Sequence, residues 1–177
     1  MAGFNLMKIL KWLDNNIEIY LVNFLLANIV VWVFVQVVLR YIFSYSLPWS
    51  EEFTRWCFVW FIWVGVSYGF KVRKHICIDV LVNMLPSKLK TIIGIVVNVV
   101  ILWCMVKLTI YGYQQIVSPI IANQDSIVLF WPLSDTHVSM FWLYASLPFG
   151  SLLSSYRLIQ TLLSDTKILI NGERNKI

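Results

Sequence analysis

Charge is scarce in this chain of 177 residues: Asp, Glu, Lys and Arg make up 13% of it, against roughly 25% in an ordinary soluble domain. That shortage excludes a disordered segment and a charge-laced coiled coil. Cysteine is limited to three. Cys57 and Cys104 fall in apolar runs and Cys77 in a basic segment, so no disulfide framework is expected. The only histidines are His75 and His137, which fall on opposite sides of the membrane predicted below. The chain lacks Cys-x-x-Cys, Gly-x-x-x-x-Gly-Lys and Gly-x-Gly-x-x-Gly, and with them the usual metal, nucleotide and dinucleotide signatures.

What the sequence holds instead is apolar surface: 59% hydrophobic residues and a mean hydropathy of +0.75. Four stretches, 19–39, 49–70, 91–112 and 136–156, are each long enough to reach about 30 Å as helices. Helix is the expected form, because unpaired backbone groups in lipid are costly and no closed-barrel alternation occurs. The first stretch exceeds a signal-peptide core and is followed by no Ala-x-Ala site, so it reads as an uncleaved anchor. The predicted fold class is an all-α integral membrane protein, one domain over 1–177 with a tail at 157–177.

Eleven of the fourteen lysines and arginines lie before the first span, between the second and third, or after the fourth. The connection 113–135 carries none. Both termini and the middle connection are therefore expected in the cytoplasm. Although the net charge is +5, its basic residues flank the spans, so nucleic acid is not an expected partner and membrane lipid is. Between the second and third spans, His75, Asp79 and Asn83 fall at i, i+4 and i+8. They predict a short amphipathic helix over 75–85, lying at the cytoplasmic interface and stopped by Pro86. The apolar run 127–133 in the outer connection is expected to pack on protein or dip into the interface.

No catalytic constellation is found. His75-x-x-x-Asp79 has no serine, cysteine or metal-ligand companion, and no acidic or histidine residue sits at mid-span. The densest feature is LPWSEEFTRW, 47–56. Pro48 and Ser50 suit a helix start, and Glu51 and Glu52 sit where the positive end of the helix dipole favours carboxylates. Arg55 is within reach of both, and Arg40 offers a further counter-ion. The cluster reads either as a self-neutralised helix start or as boundary charges that grip another subunit. Trp49, Phe53, Trp56, Trp60 and Trp63 recur as a seam down one helix face. Arg40, Trp49, Glu51, Glu52, Arg55, Trp56, Trp60 and Trp63 are thus the candidate partner surface. Asn28, Trp32, Gln36 and Arg40 form a row expected to face protein, and Lys107 is expected to snorkel outward.

Together these residues resemble a family, the small membrane subunit (Q-type, DctQ-like) of the tripartite ATP-independent periplasmic, or TRAP, transporters. The resemblance rests on Arg40-Tyr41-Ile42-Phe43, Leu47-Pro48-Trp49-Ser50-Glu51-Glu52, Arg55, Phe58, Trp60 and Gly65. It continues through Arg73, His75-Ile76, Asp79 and Leu85-Pro86, then Leu147-Pro148-Phe149-Gly150 and Arg157, covering about 15–165. The resemblance implies a subunit that is not an enzyme, needs no cofactor or metal, and sits in the bacterial inner membrane. It implies two partners: a large membrane subunit that moves an organic acid with sodium, and a soluble periplasmic substrate-binding protein. The small subunit would brace the large one in an elevator-like arrangement. A four-span enzyme acting on lipid through His75 and Asp79, and a freestanding channel, are the alternatives.

Overall fold

The computed structural model describes residues 2–72, 87–131 and 136–174. Long charge-free runs leave backbone N–H and C=O groups no partner except the helical bond, and four long helices dominate the chain. Helix α1 covers Ala2–Ile42, α2 Pro48–Lys71, α3 Ser87–Val117 and α6 Ser146–Arg174. Between α3 and α6 lie two short helices, α4 (Pro119–Ala122) and α5 (Phe141–Tyr144), and two strands, β1 (Asp125–Phe130) and β2 (His137–Ser139).

The packing is inside-out relative to a soluble protein. Phe24, Phe34 and Trp103 are about two-thirds exposed, whereas Ser50, Ser67, Ser146, Ser151 and Ser154 are buried. Small hydroxyl residues let helices approach closely where the surroundings are as apolar as the side chains. Helix α1 packs on α2, α2 on α6, and α6 on α3, so α2 and α6 form the middle of a slab with α1 and α3 on its flanks. The close approaches are at Gly150, where a Cβ would collide with Trp63, and at Gly112, where one would collide with Leu147. Among the described residues, Asn16–Ile42 of α1 and Ile92–Val117 of α3 are long and apolar enough to cross a membrane.

The structure corrects the predicted elements in two places. The connection after α3 is not all helical or loop. β1 and β2 pair antiparallel, Asp125 with Ser139 and Phe130 with His137, through an irregular register. The fourth apolar stretch does not begin a helix at Thr136, because β2 occupies that part and the long helix starts at Ser146. Pro148 explains the break: it has no N–H to donate to the carbonyl of Tyr144, so α5 cannot run on unbroken, yet proline is tolerated in the first turn of α6. Helix α3 stops at Val117, where Ser118 and Pro119 interrupt it. The expected interfacial helix with His75, Asp79 and Asn83 lies outside the described residues.

Helix α1 ends at a left-handed residue, Ser44, with φ 50°. This turn lets the Tyr45 N–H donate to Leu39 O at 3.0 Å and redirects the chain into the Pro48 start of α2.

Candidate functional site

The rim at the start of α2 keeps part of the predicted charge pattern. Arg55 Nη2 stands 3.1 Å from Glu51 Oε1, one turn apart, with both side chains about two-thirds exposed. Such an exposed pair contributes little stability. Glu52 does not join it. Its Oε2 accepts from Ser126 Oγ at 2.8 Å, and that hydroxyl also takes N–H groups from Leu129 at 2.9 Å and Val128 at 3.3 Å. Glu52 therefore ties the β ribbon to α2. Arg40 is exposed at the end of α1, and among the described residues no carboxylate lies within ion-pair distance of it. Among the described residues Arg40 pairs with neither glutamate; Glu51 is engaged by Arg55 and Glu52 by Ser126.

The indole seam turns mainly toward the chain's own helices. Trp32 meets Trp49 edge-on with centroids 5.0 Å apart, and Phe53 at 6.2 Å. Trp56 is buried. The Trp60 indole N–H donates to Trp142 O at 3.1 Å and its ring lies 5.6 Å from Phe149. Trp63 packs on Gly150. Glycine at that point lets α2 and α6 close around the ring, which is why the deeper tryptophans do not form an outward ridge. Exposed at the rim are Arg40, Trp49, Glu51 and Arg55. Beside them a cleft of about 290 Å³ has an apolar floor of Ile29, Val33 and Phe58 under Gln36, Thr54 and the ion pair. The amide of Asn28 is satisfied within α1, donating to Phe24 O at 2.8 Å.

Sequence reasoning missed the strongest electrostatic feature, which sits at the opposite end of α2. Glu18 of α1 is fully buried. Its Oε1 accepts from Arg157 Nε at 2.8 Å and from Ser67 Oγ at 2.9 Å, while Lys71 Nζ lies 3.3 Å from Oε2. Arg157, itself 3% exposed, also reaches Asp14 Oδ1 at 2.9 Å and Gln160 Oε1 at 2.9 Å. The main-chain carbonyl of Asp14 accepts from Lys71 Nζ at 2.7 Å and Arg157 Nη2 at 2.6 Å. Two carboxylates and two cations cancel, so a neutral cluster joins α1, α2 and α6. Buried charge survives only with such pairing. A signal was present in the sequence: Glu18, Lys71 and Arg157 each border an apolar stretch at the same predicted membrane face.

Lys107 is exposed on α3. Its Nζ stands 5.9 Å from the centroid of Trp103, one turn toward the helix start. Long side chains on helices lean in that direction.

The profile of the DctQ component of tripartite ATP-independent periplasmic transporters matches residues 29–167, and the chain belongs to that family. A TRAP transporter small permease protein of Haemophilus influenzae is 38% identical over 112 residues, 63% of this chain and 67% of that one. The C4-dicarboxylate TRAP transporter small permease protein DctQ of Vibrio cholerae is 34% identical over 82 residues, 46% of this chain and 35% of its own. The sialic acid TRAP transporter permease protein SiaT of Haemophilus influenzae is 26% identical over 154 residues, 86% of this chain but only 22% of that longer protein. The chain is a membrane protein of the TRAP small permease type, and its relatives are transport proteins rather than enzymes.

Proposed function

We propose that this chain is the non-transporting scaffold of a sodium-coupled carrier of organic acids. It braces a large permease subunit that moves the solute, while a periplasmic binding protein delivers it. The chain crosses the bacterial inner membrane four times, with α1, α2, α3 and α6 as spans and both termini in the cytoplasm. It needs no cofactor of its own, and sodium is handled by the large subunit. The names of similar proteins suggest a C4-dicarboxylate or a sialic acid as the solute. The match to part of SiaT supports the pairing, since there a segment like this chain belongs to a longer permease.

The observation that carries this reading is the Glu18–Arg157–Lys71–Asp14 cluster. In an elevator-like carrier one part must stay fixed in the bilayer while another slides. A slab whose helices α1, α2 and α6 are tied by a buried neutral cluster resists internal shear, which suits the fixed part. The rim residues Arg40, Trp49, Glu51 and Arg55 then serve as an outer grip on the partner, Glu52 acts through the ribbon it anchors, and Trp56, Trp60 and Trp63 support the grip from inside.

Co-expression with the large permease subunit, followed by affinity purification through a tag on this chain, tests the assignment. The large subunit should be recovered in stoichiometric amount, and Glu51→Lys with Arg55→Glu should reduce recovery together with uptake. Full recovery with lost uptake would place these charges in the transport cycle instead. A wild-type chain that purifies without any large subunit would refute the scaffold role.

A further inference from the structure

Helix α3 has two faces with different chemistry. One is taken up by α6: Thr109 Oγ1 and Ser151 Oγ are 2.9 Å apart, Gly112 packs under Leu147 and Pro148, and Ile116 is buried. The other face is bare. Val96, Val100, Trp103, Lys107 and Tyr111 recur one turn apart along it, and all are exposed.

Lys107 makes this face unlike a surface meant for lipid tails. Trp103, over which its ammonium lies, is eleven residues from Ile92 and fourteen from Val117, the ends of the apolar span. At 1.5 Å per residue those are distances of about 16 and 21 Å, so the ring beneath the ammonium lies near the middle of the apolar stretch. Helix α3 contains no acidic residue. Among the described residues no carboxylate comes within ion-pair distance of Lys107. The Trp103 ring offsets part of the desolvation by a cation–π contact, but it accepts no hydrogen bond from the ammonium in its own plane. The exposed row offers donors in the ammonium, the indole N–H and the Tyr111 hydroxyl. Its complement is an acceptor-rich, negatively charged group inside the membrane, which acyl chains cannot supply.

We propose that the α3 face bearing Trp103, Lys107 and Tyr111 is the surface on which a membrane helix of the large permease subunit docks, presenting a carboxylate to Lys107. The proposal rests on the pairing described under Proposed function and adds the face and the chemistry of the contact. It places the mid-membrane contact on α3, at the opposite flank of the slab from α1.

The test uses the complex of this chain with the large permease subunit, purified through a tag on this chain. A photo-reactive benzoylphenylalanine at position 103 should, on irradiation, give a cross-linked species containing both subunits. Lys107→Met should lower recovery of the large subunit at least tenfold, and Lys107→Arg should hold it within twofold. Because Lys107→Met removes a charge from an apolar face, the isolated variant should unfold thermally no earlier than the wild type, so lost recovery is not misfolding. Normal recovery with Lys107→Met, together with no cross-link from position 103, would overturn the α3 contact and leave the pairing intact. A cross-link to a second copy of this chain would overturn the choice of occupant. Failure of the wild-type chain to retain the large subunit would overturn the pairing and this contact with it.

Discussion

Arg157 Nε donates to Glu18 Oε1 at 2.8 Å across 139 positions of sequence, with both side chains almost wholly buried. The pair joins the beginning of the first apolar span to the middle of the last long helix, and Ser67 and Lys71 bring α2 into the same contact. One neutral group of charges therefore ties α1, α2 and α6 together.

Removing one partner from that cluster should be more damaging than removing the pair. Arg157→Met leaves Glu18 buried beside Lys71 alone, and breaking a buried pair in this way costs about 3–5 kcal/mol. Glu18→Gln combined with Arg157→Met should recover part of the loss, with a coupling of roughly 0.5–3 kcal/mol. Thermal unfolding of the four proteins in detergent measures this cycle. Strictly additive effects would mean that the two residues do not act together.

Ser126 is predicted to control the ribbon. Ser126→Ala removes the donor to Glu52 and the acceptor for Val128 and Leu129 at one stroke. Hydrogen exchange at the Leu129 amide should quicken about tenfold, equivalent to roughly 1.4 kcal/mol of local opening. Glu52→Gln, which can still accept from the hydroxyl, should change it less. Equal exchange in Ser126→Ala and wild type would show that the ribbon is held by other contacts.

The two close-packed glycines should respond differently to alanine. At Gly150 the new methyl meets the Cβ and backbone carbonyl carbon of Trp63, which cannot move without shifting α2. Overpacking of this kind costs about 1–3 kcal/mol. At Gly112 the nearest atom is the mobile end of Leu147, although Pro148 also crowds the site. Gly150→Ala should therefore lower the unfolding temperature more than Gly112→Ala, and the reverse order would contradict this packing of α2 on α6.

Ser44 is strained by its left-handed backbone. Residues with a Cβ lose about 1 kcal/mol or more in that region, so Ser44→Gly should leave the fold intact and raise stability by up to about 1 kcal/mol. A clear loss of stability would mean that the serine side chain contributes more than its backbone costs.

Much of the architecture was legible in the sequence, and the parts that were not have physical causes. Long charge-free runs announced the helices, and Pro48 and the carboxylates after it marked the start of α2. The start of α6 lies ten residues after the start of the apolar stretch at 136, since apolar content alone cannot distinguish a strand from a helix start over 136–145, and Pro148 is the cue to the break. Glu51 and Arg55 paired as their spacing required, since partners four apart are neighbours on any helix. The link from Glu52 to Ser126 depends on how a ribbon folds back over α2, which no local spacing encodes. Likewise the tryptophan seam was visible as a periodicity, but which way it faces depends on distant contacts such as that of Trp63 with Gly150. The Glu18 cluster was hidden because Glu18, Lys71 and Arg157 each lie just beyond an apolar run, where a charge looks like an ordinary end of span.

The central claim is that this chain steadies a carrier and does not itself carry, and uptake into sealed vesicles tests it most directly. Vesicles holding the chain alone should accumulate no labelled C4-dicarboxylate or sialic acid under an inward sodium gradient. Adding the large permease subunit and the binding protein should start uptake, and omitting this chain from that mixture should reduce it sharply. Accumulation by the chain on its own would contradict the account.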